Sequence, residues 1–193
     1  RSTLDRSSAA SDVYKRQATA CLVLSGCTNA ADWNANRSSQ IHSYDTSSIQ
    51  AQPDIIAKLP HGALEDGVLN VAASTDYAPA EFLDPSGKAV GYDVDLTNAI
   101  AAVLGVKGTV HTAEFDSIIA SIGSKDDAGI SSFTVTPERI AEVNMTSYIN
   151  VGSRFNVQAG NPKGVETSDH LQLCGRTIGV QVGTAQETTM RDA

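Results

Sequence analysis

Val68-Leu69-Asn70-Val71-Ala72-Ala73-Ser74-Thr75-Asp76-Tyr77-Ala78-Pro79 is the stretch from which the fold can be read. Its first six residues make a mostly apolar run of strand length, and the residues through Pro79 make a turn region. Glu81-Phe82-Leu83, Asp84-Pro85-Ser86-Gly87 and Ala89-Val90-Gly91-Tyr92 then read as a hairpin, because Pro and Gly suit its turn. Asp93 is placed to cap a helix whose apolar positions Leu96, Ile100, Val103 and Leu104 share one face, with Gly105 as its stop. Residues 106–112 are a second strand. Residues 115–122 are a short amphipathic helix ended by Gly123, and residues 128–131 are a short strand. Thr136-Pro137-Glu138-Arg139 supplies an N-cap, a proline at the first helical position and an acid in the first turn. Further on, residues 148–158 read as extended and Asn161-Pro162-Lys163-Gly164 as a turn. Thr177-Ile178-Gly179-Val180-Gln181-Val182 reads as another strand, and Gly183-Thr184 opens a last helix. Strands alternating with short helices define an α/β chain with a parallel or mixed sheet covered by helices.

Upstream of this region the pattern changes. Ile55, Ile56 and Leu59 precede Pro60 and Gly62, so order is expected from about Pro53. Residues 28–63 are polar, rich in Ser, Asn and Asp, and read as a tether. Before them, Ala18-Thr19-Ala20-Cys21-Leu22-Val23-Leu24 leads into Ser25-Gly26-Cys27, an apolar run ending in small residues, as in a secretory signal. Leu24-Ser25-Gly26-Cys27 is similar to a bacterial lipobox, in which Cys27 is the lipidated residue; the alternative is a short core strand holding a buried cysteine. Residues 18–27 are therefore read as part of a lipoprotein signal. Residues 1–17 contain Asp12-Val13-Tyr14-Lys15-Arg16-Gln17, which resembles the translation of a library adapter. They read as a cloning or assembly scar, or else as a disordered tail.

At 193 residues the chain has room for one or two domains. With 41% hydrophobic and 19% charged residues it can bury a core. Fourteen basic against 22 acidic residues give a net charge of −8, which argues against a nucleic-acid partner. No apolar run approaches the roughly 18 residues of a membrane-spanning helix. Cys21, Cys27 and Cys174 are too few and too scattered for a disulfide framework or a zinc site.

Motifs for catalysis are missing where they would be sought. There is no Gly-x-Ser-x-Gly elbow and no phosphate loop, and Ser86-Gly87-Lys88 belongs to a hairpin turn. His42, His61, His111 and His170 are isolated, so no metal site is expected, and no cofactor. Asp93 and Asp95 read as helix cap and first-turn acid rather than as a catalytic pair. What remains is a set of binding groups in loops after strands, where α/β sheets hold ligands. Arg139 offers a planar fork for a carboxylate. Ser131, Ser132 and Thr134 offer short hydroxyls, and Tyr77 and Phe115 offer aromatic walls. Residues 183–186 lead into a helix N-terminus, whose free N–H groups favour an anion. Together these groups suit a small zwitterion.

Four ordered motifs carry a resemblance: Thr75-Asp76-Tyr77-Ala78-Pro79, Gly91-Tyr92-Asp93-Val94-Asp95-Leu96, Ser131-Ser132-Phe133-Thr134-Val135-Thr136-Pro137-Glu138-Arg139, and Gly179-Val180-Gln181-Val182-Gly183-Thr184-Ala185-Gln186-Glu187. Over residues 64–187 the chain resembles the family 3 solute-binding proteins, the polar amino-acid receptors of ABC importers. The resemblance implies a two-lobe, periplasmic-binding-protein-like (type II) fold, with lobe 1 (residues 64–150) mostly present and lobe 2 (151–193) truncated. It places the first interlobe crossing near residues 150–155. By motif, Arg139 grips the α-carboxylate with the Thr134 backbone, and Ser132 and Thr134 assist the ammonium. Tyr77 and Phe115 flank the side chain, Ser131 belongs to the same loop, and residues 183–185, including Thr184 and Ala185, lend N–H groups from lobe 2. The implied protein is a monomeric, lipid-anchored receptor outside the cytoplasmic membrane, delivering an amino acid to the transmembrane subunits of an ABC permease. Departures are Ala80 and Asp126, each where the family commonly has an aromatic, and Ala185, which lacks a frequent hydroxyl. Ser74 stands where cation-preferring members carry an aspartate, which disfavours a basic ligand. The rivals are an enzyme on the same fold, such as a cyclohexadienyl dehydratase, and a sensory domain.

Overall fold

The computed structural model describes residues 43–167 and 170–192. The element order is α1 (Pro53–Ile56), β1 (Val68–Ala73), β2 (Asp76–Tyr77), β3 (Glu81–Leu83), β4 (Ala89–Val90), α2 (Tyr92–Leu104), β5 (Lys107–Thr112), a 3-10 turn (Phe115–Ser117) and α3 (Ile118–Ser121). It continues with β6 (Ala128–Gly129), α4 (Pro137–Glu142), a second 3-10 turn (His170–Leu173) and α5 (Ala185–Asp192). The turn 84–88 groups apart from the body formed by residues 43–83 and 89 onward. Within that turn Asp84 Oδ1 accepts from the backbone N–H groups of Ser86 and Lys88 at 2.8 and 2.9 Å.

In the body, β1 is the centre of a three-stranded sheet of order β5-β1-β6, and both of its neighbours run parallel to it. Parallel strands need crossovers, here supplied by α2 and α3. Central β1 is covered on both faces, which is why it is a continuous apolar run rather than an alternating one. Leu69, Val71 and Ala101 form the core, with Leu64, Val106, Ala128 and Ile130 packed against it. Ile118 is fully buried, worth about 1.5–3 kcal/mol. The second sheet, β2-β3-β4, is a small antiparallel meander.

Helix α2 departs from its expected face and cap. Its buried residues are Asp93, Val94, Thr97 and Ala101, whereas Ile100 is 37% exposed. Small side chains let the helix lie close on β5: a Cβ at Gly108 would meet Asn98 Oδ1 at 3.0 Å and Ala101 Cβ at 3.2 Å. Residues 44–57, part of the segment expected to be tether, lie along this helix. There the Tyr44 N–H donates to Asp95 Oδ2 at 2.9 Å and the Gln52 N–H to the Val103 carbonyl at 2.8 Å. Gly91 occupies the N-cap position, and Asp93 lies inside the first turn. The strand expected at 177–182 forms no ladder, because no strand among the described residues pairs with it. Thr136 does cap α4, its hydroxyl accepting from the Arg139 N–H at 3.3 Å. No helix among the described residues is long and apolar enough to cross a membrane. Cys27 and the signal-like segment lie outside the described residues.

Asp126 is 3% exposed, and neither carboxylate oxygen has a hydrogen-bond partner among the described residues. A buried orphan polar group costs about 1–3 kcal/mol, more when charged. Asp126→Leu keeps the branched shape and removes the charge, so it is expected to stabilise the chain by about 1–3 kcal/mol. The check is the urea unfolding midpoint; a lower midpoint in the variant would show that the carboxylate is needed.

Candidate ligand-binding cleft

Because β1, β5 and β6 are parallel, their carboxyl ends lie on one edge of the sheet, and the loops that leave them converge there. A cleft of about 960 Å³ opens at that edge. Its lining includes Tyr77 after β1, Phe115 after β5, Ser131, Ser132 and Thr134 after β6, Arg139 on α4, and Thr184 and Ala185 at the start of α5. All eight residues singled out from the sequence thus share one cavity.

Arg139 is its centre. Nη1 donates to the Thr134 carbonyl and Nη2 to the Gly183 carbonyl, each at 2.7 Å. The guanidinium carbon stands 5.7 Å from the Phe115 ring centroid and 5.3 Å from that of Phe133. These two rings stack at 4.5 Å, 27° from parallel. A cation over two aromatic faces is held electrostatically and is partly dried by them. Burial lowers the Arg139 pKa from its usual value. The group remains a cation, since arginine stays protonated in proteins.

Ser131 differs from the expectation of direct ligand contact. Ser131 is buried and its hydroxyl is engaged twice: it donates to Glu81 Oε1 at 2.5 Å and accepts from the Ser74 N–H at 3.0 Å. Ser132 has φ +50°, and its N–H donates to the Tyr148 hydroxyl at 3.2 Å. The Gly183 N–H, expected to be free for a carboxylate, donates instead to Glu187 Oε2 at 2.7 Å. Thr184 Oγ1 accepts from the Glu187 N–H at 3.1 Å and so caps α5. The N–H groups of Ala185 and Gln186, in the first turn, have no intrahelical acceptor to reach. Gly183 itself has φ +76°, and a Cβ there would lie 2.7 Å from Asp116 Cβ.

Sequence reasoning missed Glu81 and Asp76, which also line the cleft. Asp76 Oδ1 accepts from the Ser74 hydroxyl at 2.9 Å. Glu81 is fully buried, and its carboxyl is pushed up to about 8, chiefly by loss of water and further by Asp93 and Asp76. Nothing local marks a glutamate in a three-residue strand as buried; α2 and the loop after β6 bury it. Phe133 was passed over because it sits between residues assigned to polar contacts.

An α/β cleft at a strand edge, with one arginine on two aromatic rings and acids also lining it, has the chemistry to hold a small charged or zwitterionic solute. Residues 69–191 match the bacterial extracellular solute-binding proteins, family 3, and the chain belongs to that family. Its fold is the two-lobe α/β type II fold, with the first lobe mostly present and the second in part. The arginine-binding protein ArgT of Corynebacterium glutamicum is 32% identical over 138 residues, 70% of this chain and 44% of that protein. The L-cystine-binding protein TcyJ of Escherichia coli K12 is 32% identical over 129 residues, 66% of this chain and 48% of that protein. The chain therefore spans about half the length of the curated relatives it matches. Among solved structures, the P235GK mutant of ArgBP from T. maritima aligns with a TM-score of 0.58 and 33% identity, covering 66% of this chain and 56% of that one. The arginine-bound form of truncated ArgBP gives a TM-score of 0.56 at 33% identity, covering 66% of this chain and 60% of that chain. These relatives are solute-binding proteins rather than enzymes.

Proposed function

We propose that this chain is the amino-acid-capturing part of a substrate-binding lipoprotein that serves an ABC importer, anchored outside the cytoplasmic membrane through Cys27. The observation that carries the reading is Arg139, held over Phe115 and Phe133 in the cleft with its two terminal nitrogens on backbone carbonyls. An incoming α-carboxylate replaces the Gly183 carbonyl on the guanidinium fork and takes further N–H donors from the first turn of α5. The chain binds and releases its cargo unchanged, as a monomer, and closure of residues 151–193 over residues 64–150 presents the loaded form to the permease.

The acids of the cleft bear on the cargo. Ser74 argues against a basic ligand, but Asp76 supplies a carboxylate two residues later and is tied to that same serine hydroxyl. With Tyr77 beside it, this favours a cationic side chain, as the arginine-binding relatives suggest. The test is a thermal-shift panel of the common amino acids and cystine on the product of the complete reading frame. A ligand that binds only the native state at 100 times its Kd adds about 2.7 kcal/mol. L-Arginine is expected to give the largest rise in Tm. A rise confined to neutral or acidic amino acids would refute the cationic assignment, and no rise with any amino acid would refute the receptor reading.

A further inference from the structure

Behind the cleft, two hydrogen-bond chains run from neighbouring loop residues to two buried carboxyl groups. In one, the Ser74 N–H donates to Ser131 Oγ, and the Ser131 hydroxyl donates to Glu81 Oε1. In the other, the Ser132 N–H donates to the Tyr148 hydroxyl, which donates to Asp93 Oδ2 at 2.8 Å. Glu81 is fully buried and Asp93 is 1% exposed. Their remaining oxygens, Glu81 Oε2 and Asp93 Oδ1, are buried without a partner among the described residues. The two carboxyls are neighbours: the Asp93 carboxyl acts directly on that of Glu81, and the Asp93 N–H donates to the carbonyl of Ala80, the residue before Glu81, at 2.9 Å.

Two adjacent buried carboxylates, each with an orphan oxygen, are costly: both charges lose water and they repel each other. A single proton on Glu81 Oε2, donated to Asp93 Oδ1, satisfies both orphans and leaves the pair with one negative charge. We propose that Glu81 and Asp93 share one proton and act as a positioning pair, joining the Ser131 and Ser132 chains and so holding the cleft loop in its ligand-binding shape. The shape needs holding, since Ser132 stands in the left-handed region at φ +50°. The titratable groups facing the pair are Asp76 from the first strand of the meander, Tyr92 from α2, and Tyr148. Burial chiefly, then Asp93 and Asp76, raises the Glu81 carboxyl, and burial chiefly, with Asp93, raises the Tyr148 hydroxyl. The role in ligand capture rests on the receptor reading above.

Ionisation of Glu81 removes the shared proton. With its carboxyl at about 8, the protonated fraction falls roughly tenfold between pH 7 and pH 9. The experiment is titration calorimetry of the complete gene product with L-arginine at pH 7 and pH 9, for wild type, Glu81→Gln and Asp93→Asn. Each variant's pH 9 to pH 7 affinity ratio is compared only with the wild type's, which removes the ligand's own titration. An amide at either position donates to the other carboxyl at every pH. Wild type is expected to lose about tenfold more affinity than either variant over this range. Equal losses in all three would overturn the proposal.

Two measurements are independent of binding, so a failure of the receptor reading is seen separately, as wild type binding no amino acid at any pH. The first is infrared difference spectroscopy at pH 7, which should show a protonated-carboxyl carbonyl band in wild type that is lost in Glu81→Gln. The second is ligand-free Tm against pH. Glu81 is raised on folding from 4.5 to about 8, so the folded chain takes up a proton between these values. Wild-type Tm should therefore fall relative to Glu81→Gln as pH rises from 5 to 8, then run parallel to it. A missing band, or parallel Tm curves throughout, sinks the shared proton.

Discussion

Arg139→Ala is expected to weaken binding of the cleft's ligand by at least about 30-fold. The guanidinium is half-buried over Phe115 and Phe133, where water screens it less than at the surface, and its fork matches a carboxylate. Removing one partner of a desolvated, hydrogen-bonded charge pair costs about 2–5 kcal/mol. That is a loss of roughly 30-fold to several thousand-fold in affinity. Calorimetric titration of wild type and variant checks it. Arg139→Lys should recover only part of the loss, since an ammonium keeps the charge but not the two-pronged geometry. Affinity within threefold of wild type in Arg139→Ala would place the carboxylate elsewhere in the cleft. The same variant loses the links to the Thr134 and Gly183 carbonyls, so residues 183–185 should also exchange their amide hydrogens faster.

Gly91→Ala should be the most destabilising single-methyl change in the body. Gly91 has φ +122° and ψ 172°, a region that residues with a side chain scarcely enter. A Cβ there would stand 2.2 Å from the Ala80 carbonyl oxygen and 2.8 Å from that of Pro79. Those carbonyls accept from the Asp93 and Tyr92 N–H groups, so the contact cannot be relieved without pulling α2 away from the meander. Backbone strain alone costs about 1–3 kcal/mol, and displaced packing adds to it. We expect a loss of at least about 3 kcal/mol in urea unfolding, together with loss of ligand binding, because Glu81 and Asp93 would separate. By contrast Gly87, at φ +82° with open space around it, should lose only about 1 kcal/mol on the same change. Equal effects at the two sites would show that the close approach at Gly91 is relieved by small movements.

What could be read in the chain, and what could not, follows the range of the forces involved. The strand at 68–73, the helix stop at Gly105 and the cap at Thr136 depend on neighbours within a turn or a strand, and each lies where the pattern puts it. The buried face of α2 is not legible in its pattern, because the longest apolar residues point to one face whereas the sheet accepts the smaller Val94, Thr97 and Ala101. Asp93 looked like a cap because an acid at a helix start usually is one. Here Gly91 already occupies that position, and the aspartate turns inward to Tyr148. Residues 177–182 have strand composition, but strands are completed by partners, and none among the described residues pairs with them.

By itself the sequence determined the α/β class, the positions of most strands and helices, and a set of eight residues that converge on one cleft. It could do so because periodicity, caps and turn residues act locally, and because loops after parallel strands must meet at one edge. Only the tertiary structure decided which of those residues face a ligand with free groups. Ser131 and Gly183 have theirs engaged by Glu81, Ser74 and Glu187. It also decided that Glu81 and Asp93 meet in the dry interior. Burial and hydrogen-bond partnership depend on residues far apart in the chain, 55 positions between Asp93 and Tyr148 and 57 between Ser74 and Ser131, and no local pattern records a contact that only packing creates.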